Sequence, residues 1–154
     1  MEFRNIIFLL AVMALANTSC KEIKDKDANV SKGKSIVIQK QCMDGIMKQD
    51  DSLGTIRNHF CETASLSETI MQYTTSLKDL DFSDCPDIFK SAFQRHIEAW
   101  LLMMPVTNQH GELRGELHTL FDKIAVSKDS TQFKIKLKRI WDTWADIEQT
   151  IKEN

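Results

Sequence analysis

Two histidines and one acid stand where they could do metal chemistry. His96 and His118 are equidistant from Thr107. If the segments flanking Thr107 fold back as antiparallel helices, the two imidazoles lie at one height. On the last segment of the chain, the same height falls near Arg139 to Asp142. Two imidazole nitrogens with the Asp142 carboxylate would suit zinc or copper. The competing reading is structural. His96 can donate to a carbonyl or carboxylate at the edge of a core, and His118 lies one step from Leu117 on its helix. His59 and His110 read as surface or loop residues. No Cys-x-x-Cys-His occurs, which excludes covalent c-type haem attachment and leaves only His/His or His/Met ligation. No Glu-x-x-His occurs either, and a ferritin-like di-iron site needs two.

The cysteines offer redox chemistry or a covalent staple. Cys42 and Cys61 are centred between Asp51 and Ser52. A turn in Asp50-Asp51-Ser52-Leu53-Gly54 would set them level across a hairpin, and a disulfide between them is expected in an oxidising compartment. Helix axes lie ~8–10 Å apart while bridged Cα atoms prefer ~5.5 Å, so the helices must approach closely there. Cys85 would sit roughly 30 Å from Cys61 along a straight helix and is expected to stay unpaired. The alternative is three buried free thiols acting as small apolar groups.

Other groupings are weaker as sites. Glu112 and Glu116 share a helix face, as do Asp142 and Asp146. Paired carboxylates can do acid–base work, but here they are expected to balance Arg114 and Arg139. No nucleophile has a neighbouring base in the sequence, so the chain does not read as an enzyme. Gly111-Glu-Leu-Arg114 and Gly115-Glu-Leu-His118 form a tandem tetrapeptide. Gly115 reads as a helix-interior glycine beside a large neighbour; phosphate cradling would need a preceding strand. Trp141 and Trp144 read first as core, and otherwise as an aromatic binding patch. Lys134, Lys136, Lys138 and Arg139 read as the solvated face of a helix.

The elements that must position these residues are helical. Glycine, proline and hairpin signals are too sparse for a β-sandwich. Apolar residues at spacings of three and four predict five helices. They cover about Ser35 to Lys48, about Thr55 to Asp79, from Cys85-Pro86-Asp87 to about Pro105, about Glu112 to Val126, and about Thr131 to Lys152. Pro86 suits a first turn, and Pro105 an end or a kink. The expected fold is all-α. The last four helices form an antiparallel four-helix bundle, with the short first helix packed at one end.

The N-terminus is of another kind. Ile6 to Ala16 is an unbroken apolar run of eleven residues. At ~1.5 Å per residue it spans about half of a bilayer core, too short for a membrane span and right for a signal segment. Ala14-Leu15-Ala16 fits ordinary signal peptidase. Asn17-Thr18-Ser19-Cys20 resembles the lipobox of bacterial lipoproteins, with Asn17 where an aliphatic residue is usual. That resemblance implies a signal peptide over 1–19, and acyl chains, palmitate among them, on Cys20. It also implies a lipid anchor in the cell envelope, facing the periplasm or the cell surface. The polar run 20–34 cannot bury enough apolar surface to pack and reads as a disordered tether. Residues 35–154 form the helical domain, similar to small helical lipoproteins of unknown function.

Composition closes the remaining options. The chain has 154 residues, 42% hydrophobic and 27% charged, with net charge −2. That is one domain, too apolar for disorder and without a nucleic-acid footprint. The expected function is a membrane-anchored binding or interaction module with an envelope protein as partner and no resident cofactor. The alternatives are a zinc-, copper- or haem-binding bundle, and a freely secreted or periplasmic form.

Overall fold

A computed structural model describes residues 21–153, with side chains from residue 35 onward. The expected signal segment and Cys20 lie outside the described residues. The described residues form helices joined by turns and loops, without a strand among them. Six α-helices follow in order: α1 (Lys21–Phe60), α2 (Leu66–Lys78), α3 (Asp87–Leu101), α4 (Met104–Thr107), α5 (Leu117–Ala125) and α6 (Ser130–Glu153). A 3-10 turn, Asn108–His110, joins α4 to the loop before α5. The chain divides into two units between Val37 and Ile38. The described part of the first is the opening of α1. The core and the site described below belong to the second.

Two boundaries differ from the sequence expectation, and both matter for the site. First, α1 is a long helix, not a short one. Its backbone is helical from Lys21, within the stretch expected as a tether, because propagating a nucleated helix is far cheaper than starting one. It also runs straight through the expected turn at 50–54. The polar residues there are satisfied inside the helix: Ser52 Oγ donates to Lys48 O and Thr55 Oγ1 to Asp51 O. Gly54 costs a helix only ~1 kcal/mol, and no proline enforces a break.

The turn comes at 61–65 instead. Ser65 and Glu68 form a reciprocal capping box that starts α2. Two orphan N–H groups are satisfied there at once.

Second, α5 starts at Leu117, not Glu112. Glu116 is its N-cap, accepting from Thr119 N at 3.0 Å. Gly115 is therefore outside the helix, at φ 139°, a left-handed conformation that an L side chain rarely adopts. Its N–H donates to Cys61 O at 3.1 Å, tying the loop before α5 to the end of α1.

The break between α3 and α4 falls as Pro105 predicts. Pro105 sits in the first turn of α4, where its missing N–H costs nothing.

The core collects Met43 and Ile46 of α1; Leu66, Ile70 and Leu77 of α2; Phe89, Phe93 and Ile97 of α3; Leu117, Leu120 and Ile124 of α5; and Phe133, Ile140 and Ile147 of α6. Phe82, Phe89 and Phe93 form one ring cluster, with centroids 5.2–6.3 Å apart. Each fully buried phenylalanine contributes about 1.5–3 kcal/mol. Helices α3 and α6 pack along each other extensively; Arg95 and Asp146 join their exposed edges at 3.3 Å.

The disulfide differs from expectation for the same reason as α1. It joins Cys42 to Cys85, with Cα atoms 5.2 Å apart, and leaves Cys61 as a buried free thiol. The expected Cys42–Cys61 pair needed a turn at 51–52. In the continuous helix those two residues are far apart along one axis. The midpoint of 42 and 85 falls between Thr63 and Ala64, inside the real turn, so Cys42 comes level with the segment that opens α3. The Cys61 thiol instead donates to Arg57 O, and burial pushes its pKa up.

Candidate functional site

The second half of α1 forms one wall of a pocket of about 420 Å³. Met47, Asp50, Asp51, Gly54, Thr55, Arg57 and Asn58 line that wall. Tyr73 comes from α2, His96 and Trp100 from α3, Leu117, His118 and Phe121 from α5. Leu137, Ile140, Trp141 and Trp144 come from α6. The three tryptophans of the chain all border this one space. Its volume lies in the range of ordinary small-molecule sites, and its walls are mostly apolar with a few convergent polar groups, as such sites are.

The polar groups are connected. Tyr73 Oη donates to Asp50 Oδ1 at 2.6 Å. Asp50 is buried, and that burial raises its pKa despite the tyrosine bond and the Arg57 charge. The Tyr73 phenol is pushed far up by burial and by the Asp50 charge, so it remains a hydrogen-bond donor at any ordinary pH.

Arg57 lies beside this pair. Its guanidinium carbon is 4.5 Å from the ring centroid of Tyr73 and 4.5 Å from that of Trp100. Nε and Nη2 both donate to Asn58 Oδ1, at 3.3 and 3.1 Å. Tyr73 and Trp100 meet edge-on with centroids 5.4 Å apart. Two rings and an amide thus hold one cation in a fixed orientation.

His96 is also buried. Trp100 Nε1 donates to His96 Nε2 at 3.0 Å. On its other side, His96 Nδ1 lies 3.0 Å from Thr143 Oγ1. The Thr143 hydroxyl donates to carbonyls of its own helix, so it accepts from His96 Nδ1–H. The imidazole is therefore neutral, with its proton on Nδ1. Burial first, then the Arg57 charge, lowers its pKa to about 4.

The structure places His96 and His118 on the wall of one pocket but does not join them to Asp142. Both His96 nitrogens are engaged. His118 is exposed and bonds Glu116 through Nδ1. Asp142 is bonded by Lys138 on the outside of α6, at 2.7 Å, and is not among the pocket residues. Among the described residues, no three such donors converge as a metal site. The expected pairing of Arg114 with Asp142 is absent too: Arg114 Nη1 donates to the Gly111 and Leu113 carbonyls. His110, expected as a surface or loop residue, ends the 3-10 turn and is largely buried, 3.2 Å from Asp129.

Arg57, Asp50 and Tyr73 escape the sequence reading. Asp50 looks like a turn residue, and Arg57 like an exposed position on a polar helix. The signal that would have found them is Ser65-Leu-Ser-Glu68. Taken as a capping box, it places the turn at 61–65 and sets Asp50 level with Tyr73.

Among the described residues, no helix is long and apolar enough to cross a membrane. Compared with protein families, with curated proteins and with solved structures, the chain matches none.

Proposed function

We propose that the chain is a cell-envelope lipoprotein whose helical domain binds a small, largely apolar ligand in the pocket between α1 and α6. The observation that carries the binding part is the convergence of Tyr73, Trp100, Phe121, Trp141 and Trp144 on one cavity with an oriented cation at its wall. Such rings contribute large contact areas at small entropic cost. The envelope part is supported by the apolar run Ile6 to Ala16, the lipobox-like Asn17 to Cys20, and the Cys42–Cys85 disulfide, which suits an oxidising compartment. Within the domain, α2, α3, α5 and α6 are read as the antiparallel bundle, with α1 laid against it as the pocket wall.

The indole N–H resonances of Trp100, Trp141 and Trp144 report on the site. Uncharged bicyclic aromatic fragments are expected to shift them saturably. Leu137→Phe, which adds bulk inside the pocket, should abolish the shifts. Unsaturable shifts confined to the exposed Trp141 would refute a binding pocket. For the anchor, a mature N-terminal mass beginning at unmodified Asn17 would refute lipidation at Cys20.

A further inference from the structure

Arg57 is a pocket cation whose charge acts on the buried Asp50 without a direct ion pair. No carboxylate lies within ion-pair distance of it among the described salt bridges. The nearest acid on its own helix face, Asp50, spends its Oδ1 on the Tyr73 hydroxyl. The partly buried guanidinium acts on the Asp50 carboxylate and bonds the Tyr73 hydroxyl, but no direct ion pair neutralises it. The guanidinium is nonetheless oriented: Nε and Nη2 donate to Asn58 Oδ1, and the Tyr73 and Trp100 rings stand together beside it. Arg57 lines the pocket, so its charge is within reach of a ligand there. The other candidate cations at the pocket do not compete. His96 is neutral with both nitrogens occupied, and His118 is taken by Glu116.

We infer that the pocket takes an organic monocarboxylate with a flat apolar body, its carboxylate on Arg57 and its body against Trp100, Phe121 and Trp144. This rests on reading the pocket as a binding site. The single charge matters, because Asp50 and Asp51 share the α1 wall and would repel a multiply charged ligand. The flat body matters because the walls are ring planes. Pre-orientation of Arg57 removes the ordering cost that a free arginine would bear on binding. A charge-assisted bond to a fixed guanidinium is then among the stronger contacts available.

The test is calorimetric titration of the full-length chain with 1-naphthoate, 1-naphthamide and decanoate. Naphthoate is expected to bind about tenfold more tightly than naphthamide, the worth of one charge-assisted contact. Arg57→Gln should erase that preference, and Arg57→Lys should restore part of it. A cooperative thermal transition retained in each variant shows that it is folded. Equal binding of naphthoate and naphthamide to the native chain overturns the carboxylate inference and leaves the pocket reading standing. Absence of binding by all three overturns both. Decanoate binding as tightly as naphthoate overturns the flat body.

Discussion

The Tyr73 hydroxyl donates to the Asp50 carboxylate at 2.6 Å, bridging α2 to the middle of α1. Both groups are buried, so the bond satisfies a charge that has little water to turn to. Tyr73→Phe removes the donor and strands the acid. The expected loss is about 1–3 kcal/mol, read from the denaturant midpoint. The same substitution in an Asp50→Asn background should cost less, because a neutral amide is cheaper to strand. An equal loss in both backgrounds would show that the bond contributes nothing.

His96 makes stability depend on pH in a defined window. Its folded pKa of about 4 lies below the ordinary 6.5. Between those values the unfolded chain binds more protons, so stability is lost as pH falls from 6.5 towards 4. The full loss is on the order of 3 kcal/mol. Asp50 acts oppositely. Its raised pKa makes stability fall as pH rises above the ordinary carboxylate value of 3.8. Thermal midpoints across this range should therefore slope less in His96→Asn than in the native chain. An unchanged slope would refute the assignment to His96.

Much of the domain was legible in the sequence because apolar periodicity is strong in α3, α5 and α6. The stripe Phe133, Ile140, Ile147 lies buried as its spacing requires. The failures trace to two residues whose local signals compete. Gly54, in a run of Asp and Ser, reads as a turn, yet Ser52 and Thr55 bond inside the helix and Asp50 across it. Gly115 reads as helical because Leu113 and Leu117 flank it at helical spacing. Its bond to Cys61 O and the Glu116 cap, both tertiary or terminal features, decide otherwise. Moving the α1–α2 turn by about ten residues then changed the partner of Cys42 and hid the pocket.

The disulfide closes a loop with a sequence separation of 43. In the chain-entropy account, a loop of that length stabilises the fold by about 4 kcal/mol. Cys42→Ser, Cys85→Ser and reduction should each lower the unfolding midpoint to a similar degree. Cys61, fully buried, should resist thiol labelling until the chain unfolds. Peptide mapping that finds Cys61 in a disulfide would overturn the pairing.

Gly115→Ala places a side chain at φ 139°, with Leu120 Cδ2 only 3.5 Å from the new Cβ. The expected cost is about 1–3 kcal/mol, seen as a lowered thermal midpoint. Gly45→Ala, which meets nothing within 4 Å inside a helix, should be neutral or stabilising. The reverse ranking would contradict the backbone assignment at both positions.

The α1 wall is fastened at both ends and in the middle: by Cys42–Cys85, by Gly115 N–H to Cys61 O, and by Tyr73 on Asp50. A ligand cannot be admitted by swinging such a wall aside without breaking a covalent bond. The α1 side of the cavity is thus a fixed surface, and its shape is set before anything enters it.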